Sequence, residues 1–410
     1  MWNQFAQMLS TEEQDRVIEA AVKELEGLTL AEIRDRDFLS SQAHAAVQKS
    51  IRAIEGSATP QLVTAMVQQV VARVGGFGFL DELLPPARND LSEIALNPDG
   101  SLWILPKGAE DFEMVERGLP RDEVWRAVEA LIAPLGRALS EATPSVNAKL
   151  PRKSLSGDFG GARVKILHPV IAPGDGYPSI NIRLFEPVPV SPDQIVAWEV
   201  APQEVIRGLL QAVHHKYRLL VIGGTATGKT TLLSALCAGI PEKARVVKIE
   251  DPEEIWLSHP NVVTIEARPS PPGSTVPAYT LKDGVDDAMR MNPRWLVVGE
   301  VRTGDAGLAL FRAQMSDHPG LSTFHAEGAE EAAFRMAVIL FSDAGVRMEA
   351  AKAIFAQAVD LIVLLGWKDG RRQILKVWEV APMLKGGNVH FRKIYEPGDT
   401  KLAGIERRRG

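Results

Sequence analysis

The spacing of apolar residues divides this chain into stretches of different texture. Over the first 58 residues apolar positions recur at helical intervals on a polar background, and Ser10 with Glu13 makes a capping-box pattern before "QDRVIEAAVKELEGL". Thr59 followed by Pro60 opens another helix, "QLVTAMVQQVVARV", which Gly75 and Gly76 stop. The rhythm then shortens to strand alternation. "SEIALNPDGSLWIL" carries "NPDG" as a hairpin turn, and after one helix, "RDEVWRAVEALIAPLG", strands resume with "ARVKILH" and "SINIRLF". The pattern predicts a helical extension over residues 1–58 and an α+β domain over 59–186. Pro187, Pro189 and Pro192 punctuate "FEPVPVSPDQIVAW", so residues 187–199 read as a semi-rigid linker.

Residues 200–410 alternate between two signals. The apolar runs in "YRLLVIGG", "RVVKIED", "VVTIEA", "WLVVGEV" and "LSTFHA" have strand length, and amphipathic segments such as "KTTLLSALC", "LKDGVDDAMRM", "AGLALFRAQM" and "EEAAFRMAVILF" lie between them. Such interleaving predicts an α/β domain, a parallel sheet with helices on both faces. The final strand signals, from "DLIVLLGWKDG" to "VHFRKIY", are separated by glycine turns and predict antiparallel edge strands.

Composition narrows the partners. A length of 410 residues with 45% apolar and 24% charged residues describes a folded chain of at least two domains. Acidic residues outnumber basic ones, 52 to 46, for a net charge of −6, so direct nucleic-acid binding is not expected of the whole surface; the basic "IERRRG" tail is a local exception. Cys237 is the only cysteine, which excludes an intrachain disulfide and fits a reducing compartment. No run approaches the roughly 20 apolar residues that span a bilayer. The amino terminus lacks the pattern of a secretory signal, and membrane attachment is expected through partners.

The segment "GGTATGKTT" carries the most specific chemistry. Gly223, Gly224, Thr225, Ala226, Thr227 and Gly228 form a loop between a strand and a helix that Lys229, Thr230 and Thr231 open, which is the spacing of a phosphate-binding loop. Backbone N–H groups and the helix N-terminus would face a phosphate, Lys229 would reach the β and γ phosphates of a nucleotide, and the Thr230 hydroxyl would bind Mg²⁺. Hydrolysis also needs a group that orients water. Glu300 in "WLVVGEVR" is the candidate, although the aspartate that often precedes such a glutamate is replaced by Gly299, so a second carboxylate must come from elsewhere or give way to water. Glu250 and Asp251 end a neighbouring strand on the side where ligands of open α/β sheets bind. His325 ends another. Arg302, two residues after Glu300, would share its face on a strand and could stabilise charge on a transferring phosphate. A helicase-like nucleic-acid motor and a small-molecule kinase or nucleotide-gated binding module remain alternatives, which DNA-stimulated turnover or transfer to an acceptor other than water would reveal.

Taken together and in this order, four segments resemble those of the traffic ATPases of bacterial secretion, conjugation and type IV pilus systems. "GGTATGKTT" looks like their Walker A loop, "RVVKIEDPEEI" their aspartate box, "VVGEVR" their atypical Walker B and "GLSTFHA" their histidine box. "NPDGSLWIL" and "HPGLSTFHA" look closest to the TrbB-type conjugation ATPases of type IV secretion. The resemblance implies a RecA-like P-loop domain that hydrolyses ATP with Mg²⁺, with Glu300, Lys229, His325 and Glu250 catalytic and Thr230, Glu250, Asp251 and Glu300 around the metal. It makes Arg163 and Arg183, in the first domain, counterparts of nucleotide-contacting arginines. It further implies a homohexameric ring on the cytoplasmic face of the inner membrane, held there by components of the machine it drives.

Overall fold

The computed structural model describes residues 9–407 apart from 26–27, 29–35, 55, 134–135, 151–158 and 271–274. The end of the expected "RDEVWRAVEALIAPLG" helix at 134–135 and residues 408–410 of the basic tail lie outside them. The chain divides into two units, Met1–Pro187 and Val188–Gly410.

Among the described residues the first unit begins with three helices, α1 (Thr11–Leu25), α2 (Arg36–Ala53) and α3 (Pro60–Gly75). Ser10 and Glu13 make the expected reciprocal cap, Ser10 N–H donating to Glu13 at 2.8 Å, and the Thr59 hydroxyl accepts from Leu62 N–H at 3.2 Å. These helices share one core, in which Val17 and Ile18 of α1, Ala43 and Val47 of α2, and Met66 and Val70 of α3 meet. Helix α3, grouped above with the α+β segment, therefore packs with the helices before it. Periodicity shows that a helix has an apolar face but not which neighbour covers it.

The rest of the unit is an antiparallel six-stranded sheet of β1 (Leu91–Leu96), β2 (Ser101–Pro106), β3 (Glu113–Arg117), β4 (Ser145–Leu150), β5 (Ala162–Leu167) and β6 (Ser179–Leu184), in the order β3-β2-β1-β6-β5-β4. Helix α4 (Arg121–Ile132) buries Val124, Val128 and Leu131 in the core it shares with the sheet. The "NPDG" turn joins β1 to β2. Gly100 there has φ +75°, and a Cβ on it would press within 2.7 Å of the Tyr177 ring, so only glycine fits.

The second unit begins with α5 (Pro192–Ala197), capped by Ser191 and Gln194. Ile195 of this helix, with Val190 and Val200 on either side, joins the core of the second unit, so most of the stretch expected as a linker is tied down. Helix α6 (Gln203–His214) precedes an eight-stranded sheet. Its strands are β7 (Leu219–Ile222), β8 (Val246–Glu250), β9 (Val262–Glu266), β10 (Trp295–Val298), β11 (Gly320–Phe324), β12 (Leu361–Lys368), β13 (Arg371–Val380) and β14 (Phe391–Tyr395), ordered β14-β13-β12-β7-β11-β10-β8-β9. Strands β12 through β9 in that order run parallel, and β13 and β14 add the expected antiparallel edge. Consecutive residues of β7 enter opposite cores, Leu219 and Val221 one, Leu220 and Ile222 the other. Burial on both faces is why the strand reads as an unbroken apolar run. Helices α7 (Lys229–Leu236), α8 (Leu281–Ala288), α9 (Gly304–Met315), α10 (Ala329–Ala344) and α11 (Met348–Ala358) cover the sheet. No helix among the described residues is long and apolar enough to cross a membrane.

Candidate functional site

The glycine loop runs from the end of β7 into α7. Gly223 lies so close to the Leu365 carbonyl that any Cβ would collide with it, and Gly228 holds φ +92°, a left-handed conformation at the helix start. Thr225 and Ala226 are exposed, whereas Thr227 is buried and its hydroxyl donates to the Gly224 carbonyl at 3.0 Å. Lys229 is buried as well. Its ammonium folds back under the loop, donating to the carbonyls of Gly223 at 3.0 Å and Gly224 at 2.6 Å. Thr230 and Thr231 are part-exposed in the first turn of α7.

Strand ends surround this loop, as parallel order dictates. Thr230, Glu250, Asp251, Gly299, Glu300 and Arg302 line one pocket. Glu300 accepts from Arg302 Nε at 2.6 Å and from His325 Nε2 at 2.9 Å. The reason for the Glu300–Arg302 relationship differs from the expectation: β10 ends at Val298, so both lie on the loop leading to α9 and meet by direct ion pairing, not by a shared strand face. His325 follows β11 immediately, and its Nδ1 is 3.4 Å from Lys229 Nζ. Burial lowers the His325 pKa below 6.5, and the charges of Lys229 and Arg302 add to that shift while Glu300 opposes it. The contact with Glu300 is thus a hydrogen bond from a neutral ring near pH 7.

Glu250 is 2% exposed. It accepts the N–H groups of Glu254 at 3.1 Å and Ile255 at 3.0 Å and pairs with Lys248 at 3.1 Å. Burial raises its pKa, against the pull of Lys248 and the two N–H groups. Lys248 is itself 2% exposed and also bonds Glu253 and the Ile255 carbonyl, so the lysine and the glutamate together shape the 250–255 turn. Lys248 was not singled out in the sequence, although a lysine inside the apolar run "RVVKIE" is the signal. The glycine at position 299, noted above for the carboxylate it lacks, has a steric reason. A Cβ there would stand 3.0 Å from Glu250 Cγ and 3.2 Å from its Oε1. The direction in which an aspartate side chain would project from residue 299 is already filled by the Glu250 carboxylate. Asp251 beside it is exposed.

Among the described residues no group of three or more His, Cys, Asp or Glu side chains is placed to hold a metal by itself. A hydroxyl and carboxylates around one pocket do suit Mg²⁺, which takes few protein oxygens and completes its shell with phosphate and water. Arg163 and Arg183 belong to the first unit. They sit opposite each other on β5 and β6, in a row with Lys149 on β4 and Glu93 on β1.

A mostly parallel sheet with a glycine loop, a buried lysine and carboxylates gathered at the carboxyl ends of its central strands defines a class of α/β protein. Residues 137–364 match the family "Type II/IV secretion system protein". The conjugal transfer protein TrbB of Rhizobium radiobacter is 31% identical over 293 residues, which cover 70% of this chain and 82% of that protein. The uncharacterized protein MJ0900 of Methanocaldococcus jannaschii is 33% identical over 192 residues, 47% of this chain and 33% of that longer protein. The X-ray structure of the Legionella pneumophila ATPase DotB shares the fold with a TM-score of 0.52 at 18% identity, covering 70% of this chain and 77% of DotB. The chain belongs to the type II/IV secretion system protein family.

Proposed function

We propose that this chain is a Mg²⁺-dependent ATPase of RecA-like P-loop type whose turnover drives a type IV secretion, conjugation or pilus machine. The observation that carries the reading is the convergence at the carboxyl ends of β7, β11 and β10 of the Lys229 loop, His325 and the Glu300 carboxylate. Residues Gly223 to Thr231 hold the phosphates, and Lys229 exchanges its two loop carbonyls for phosphate oxygens. Thr230, Glu250, Asp251 and Glu300 would hold Mg²⁺, which would neutralise charge on those oxygens. Glu300 accepts a hydrogen bond from the attacking water and orients it. Arg302 is held against Glu300, so its turn toward the phosphate is coupled to release of that carboxylate. Arg163 and Arg183 act as nucleotide-contacting arginines, on the strength of the family resemblance.

The working form is a homohexameric ring, peripheral at the cytoplasmic face of the inner membrane and held by inner-membrane components of its machine. Phosphate release from Mg-ATP by the purified chain and by Lys229→Ala tests the assignment. Turnover in the native chain and its loss in the variant are expected; equal rates in the two would overturn it. Light scattering with and without Mg-ATP tests the ring.

A further inference from the structure

Strand β7, which feeds the glycine loop, lies between β11 and β12, and its two flanks differ in chemistry. On the β11 side stand His325, Glu300 and Arg302. On the β12 side the charged carboxylates give way to an aromatic ring and a guanidinium. The Leu365 carbonyl abuts Gly223, so β12 runs directly against the loop. Just beyond it, Trp367 is opposite Arg372 in the β12–β13 register, with the guanidinium 4.9 Å from the indole centre. Directly opposed residues on adjacent strands project to the same face. The Arg372 Cδ comes within 3.7 Å of the position a Cβ on Gly228 would take, next to the Leu365 side chain at 3.6 Å. Both members of the pair are half-buried.

A nucleotide whose phosphates occupy the loop must send its base out along one of these flanks. The β11 side offers carboxylates already bound to His325, Arg302 and Lys248, which a flat apolar ring would desolvate without return. The β12 side offers an indole and a guanidinium plane, the two surfaces on which nucleobases stack. We propose that Trp367 and Arg372 form the base-binding wall of the nucleotide site, receiving the nucleobase against the indole–guanidinium pair while Gly223 to Thr230 hold the phosphates. The inference rests on the nucleotide reading of that loop and adds the substrate's other half. Stacking of this kind tolerates any base, so affinity is gained here and discrimination between purines is small.

Calorimetric titration with Mg-ADP and Mg-pyrophosphate separates base from phosphate. In Arg372→Ala and in Trp367→Leu, which keeps apolar bulk, ADP affinity falls about tenfold while pyrophosphate affinity is unchanged. Trp367→Phe should retain ADP affinity but lose the ADP-induced change in tryptophan emission that is expected of the native chain. Equal losses for both probes, or unchanged ADP affinity in both variants, would overturn the base wall. A native chain that binds neither probe would overturn the nucleotide reading itself, which is a separate result. Circular dichroism checks that each variant is folded, and if Arg372→Ala does not fold, the two Trp367 variants carry the test.

Discussion

His325 joins Lys229 to Glu300, with Nδ1 3.4 Å from the ammonium and Nε2 2.9 Å from the carboxylate. An ammonium has only protons to give and a carboxylate only lone pairs, so a neutral ring between them has one workable tautomer. Nε2–H donates to Glu300 and Nδ1 accepts from Lys229. The ring thus bridges the loop lysine and the strand-end carboxylate directly.

The first expectation follows from that tautomer. Burial and the Lys229 charge lower the His325 pKa from 6.5, so the ring stays neutral at pH values where an exposed histidine is already charged. The folded state therefore binds this proton less readily than the unfolded state. Stability from His325 is present above about 6.5 and is lost as pH falls through the folded value. NMR titration of the ring in nucleotide-free protein should give a midpoint below 6.5; a midpoint above it would contradict the arrangement.

Glu300→Gln should separate binding from hydrolysis. The amide keeps the shape and still meets His325, but it neither takes a proton nor polarises water, so turnover should fall at least about a hundredfold. Nucleotide binding should hold within a fewfold. Equilibrium binding beside phosphate release makes the comparison, and loss of binding in a folded variant would make Glu300 a binding residue.

Gly299→Ala is a sharper probe of geometry. Its methyl would arrive 3.0 Å from Glu250 Cγ, and Glu250 has little room to yield because Lys248 and two N–H groups hold it. Overpacking of this sort costs about 1–3 kcal/mol. Turnover should drop with Glu250 displaced, and Gly299→Asp should be worse because it sets a second carboxylate against a buried one. Wild-type turnover in both variants would show that the Glu250 position does not matter.

Strands β7, β8, β10 and β11 were legible because each is buried on both faces and so reads as an apolar run, and the loop was legible because its glycines recur at fixed spacing. The Lys248–Glu250 pair was not, since its geometry comes from a turn that brings Glu254 and Ile255 back over the strand end. Strand β3 was missed for a related reason: all five of its residues are exposed, and an edge strand without a buried face has no alternation to read. Arg302 was associated with Glu300 by counting along a strand that in fact stops at Val298.

Arg163 and Arg183 present a testable cost. Two cations stand directly opposite on neighbouring strands, with Lys149 beyond Arg163 and Glu93 beyond Arg183 in the row, so one carboxylate faces three cations and their mutual repulsion is only partly offset. If an anionic ligand is what repays that repulsion, Arg163→Ala and Arg183→Ala should each lower turnover severalfold without lowering stability by more than about 0.5 kcal/mol. Thermal unfolding beside phosphate release checks both parts, and full turnover in both variants would return the arginines to the solvated surface.

The last prediction concerns stability far from the loop. Asp360 is fully buried between two arginines, Arg218 at 3.0 Å and Arg407 at 2.6 Å, and also accepts the Arg218 backbone N–H at 2.8 Å. Each guanidinium finds carbonyls as well, Arg218 at Gln314 and Gln357, Arg407 at Ala356, Val359 and Val380. Removing one arginine leaves the carboxylate with the other. Removing the carboxylate's charge leaves two cations in a site where side-chain exposure is only 4% and 9%. Breaking a buried pair from one side costs about 3–5 kcal/mol because the remaining charge is uncompensated. Asp360→Asn should therefore lose stability in that range and Arg218→Met should lose less. Urea denaturation of the two variants gives the order, and an equal or larger loss in Arg218→Met would mean that its carbonyl bonds, not the shared carboxylate, hold this corner of the sheet together.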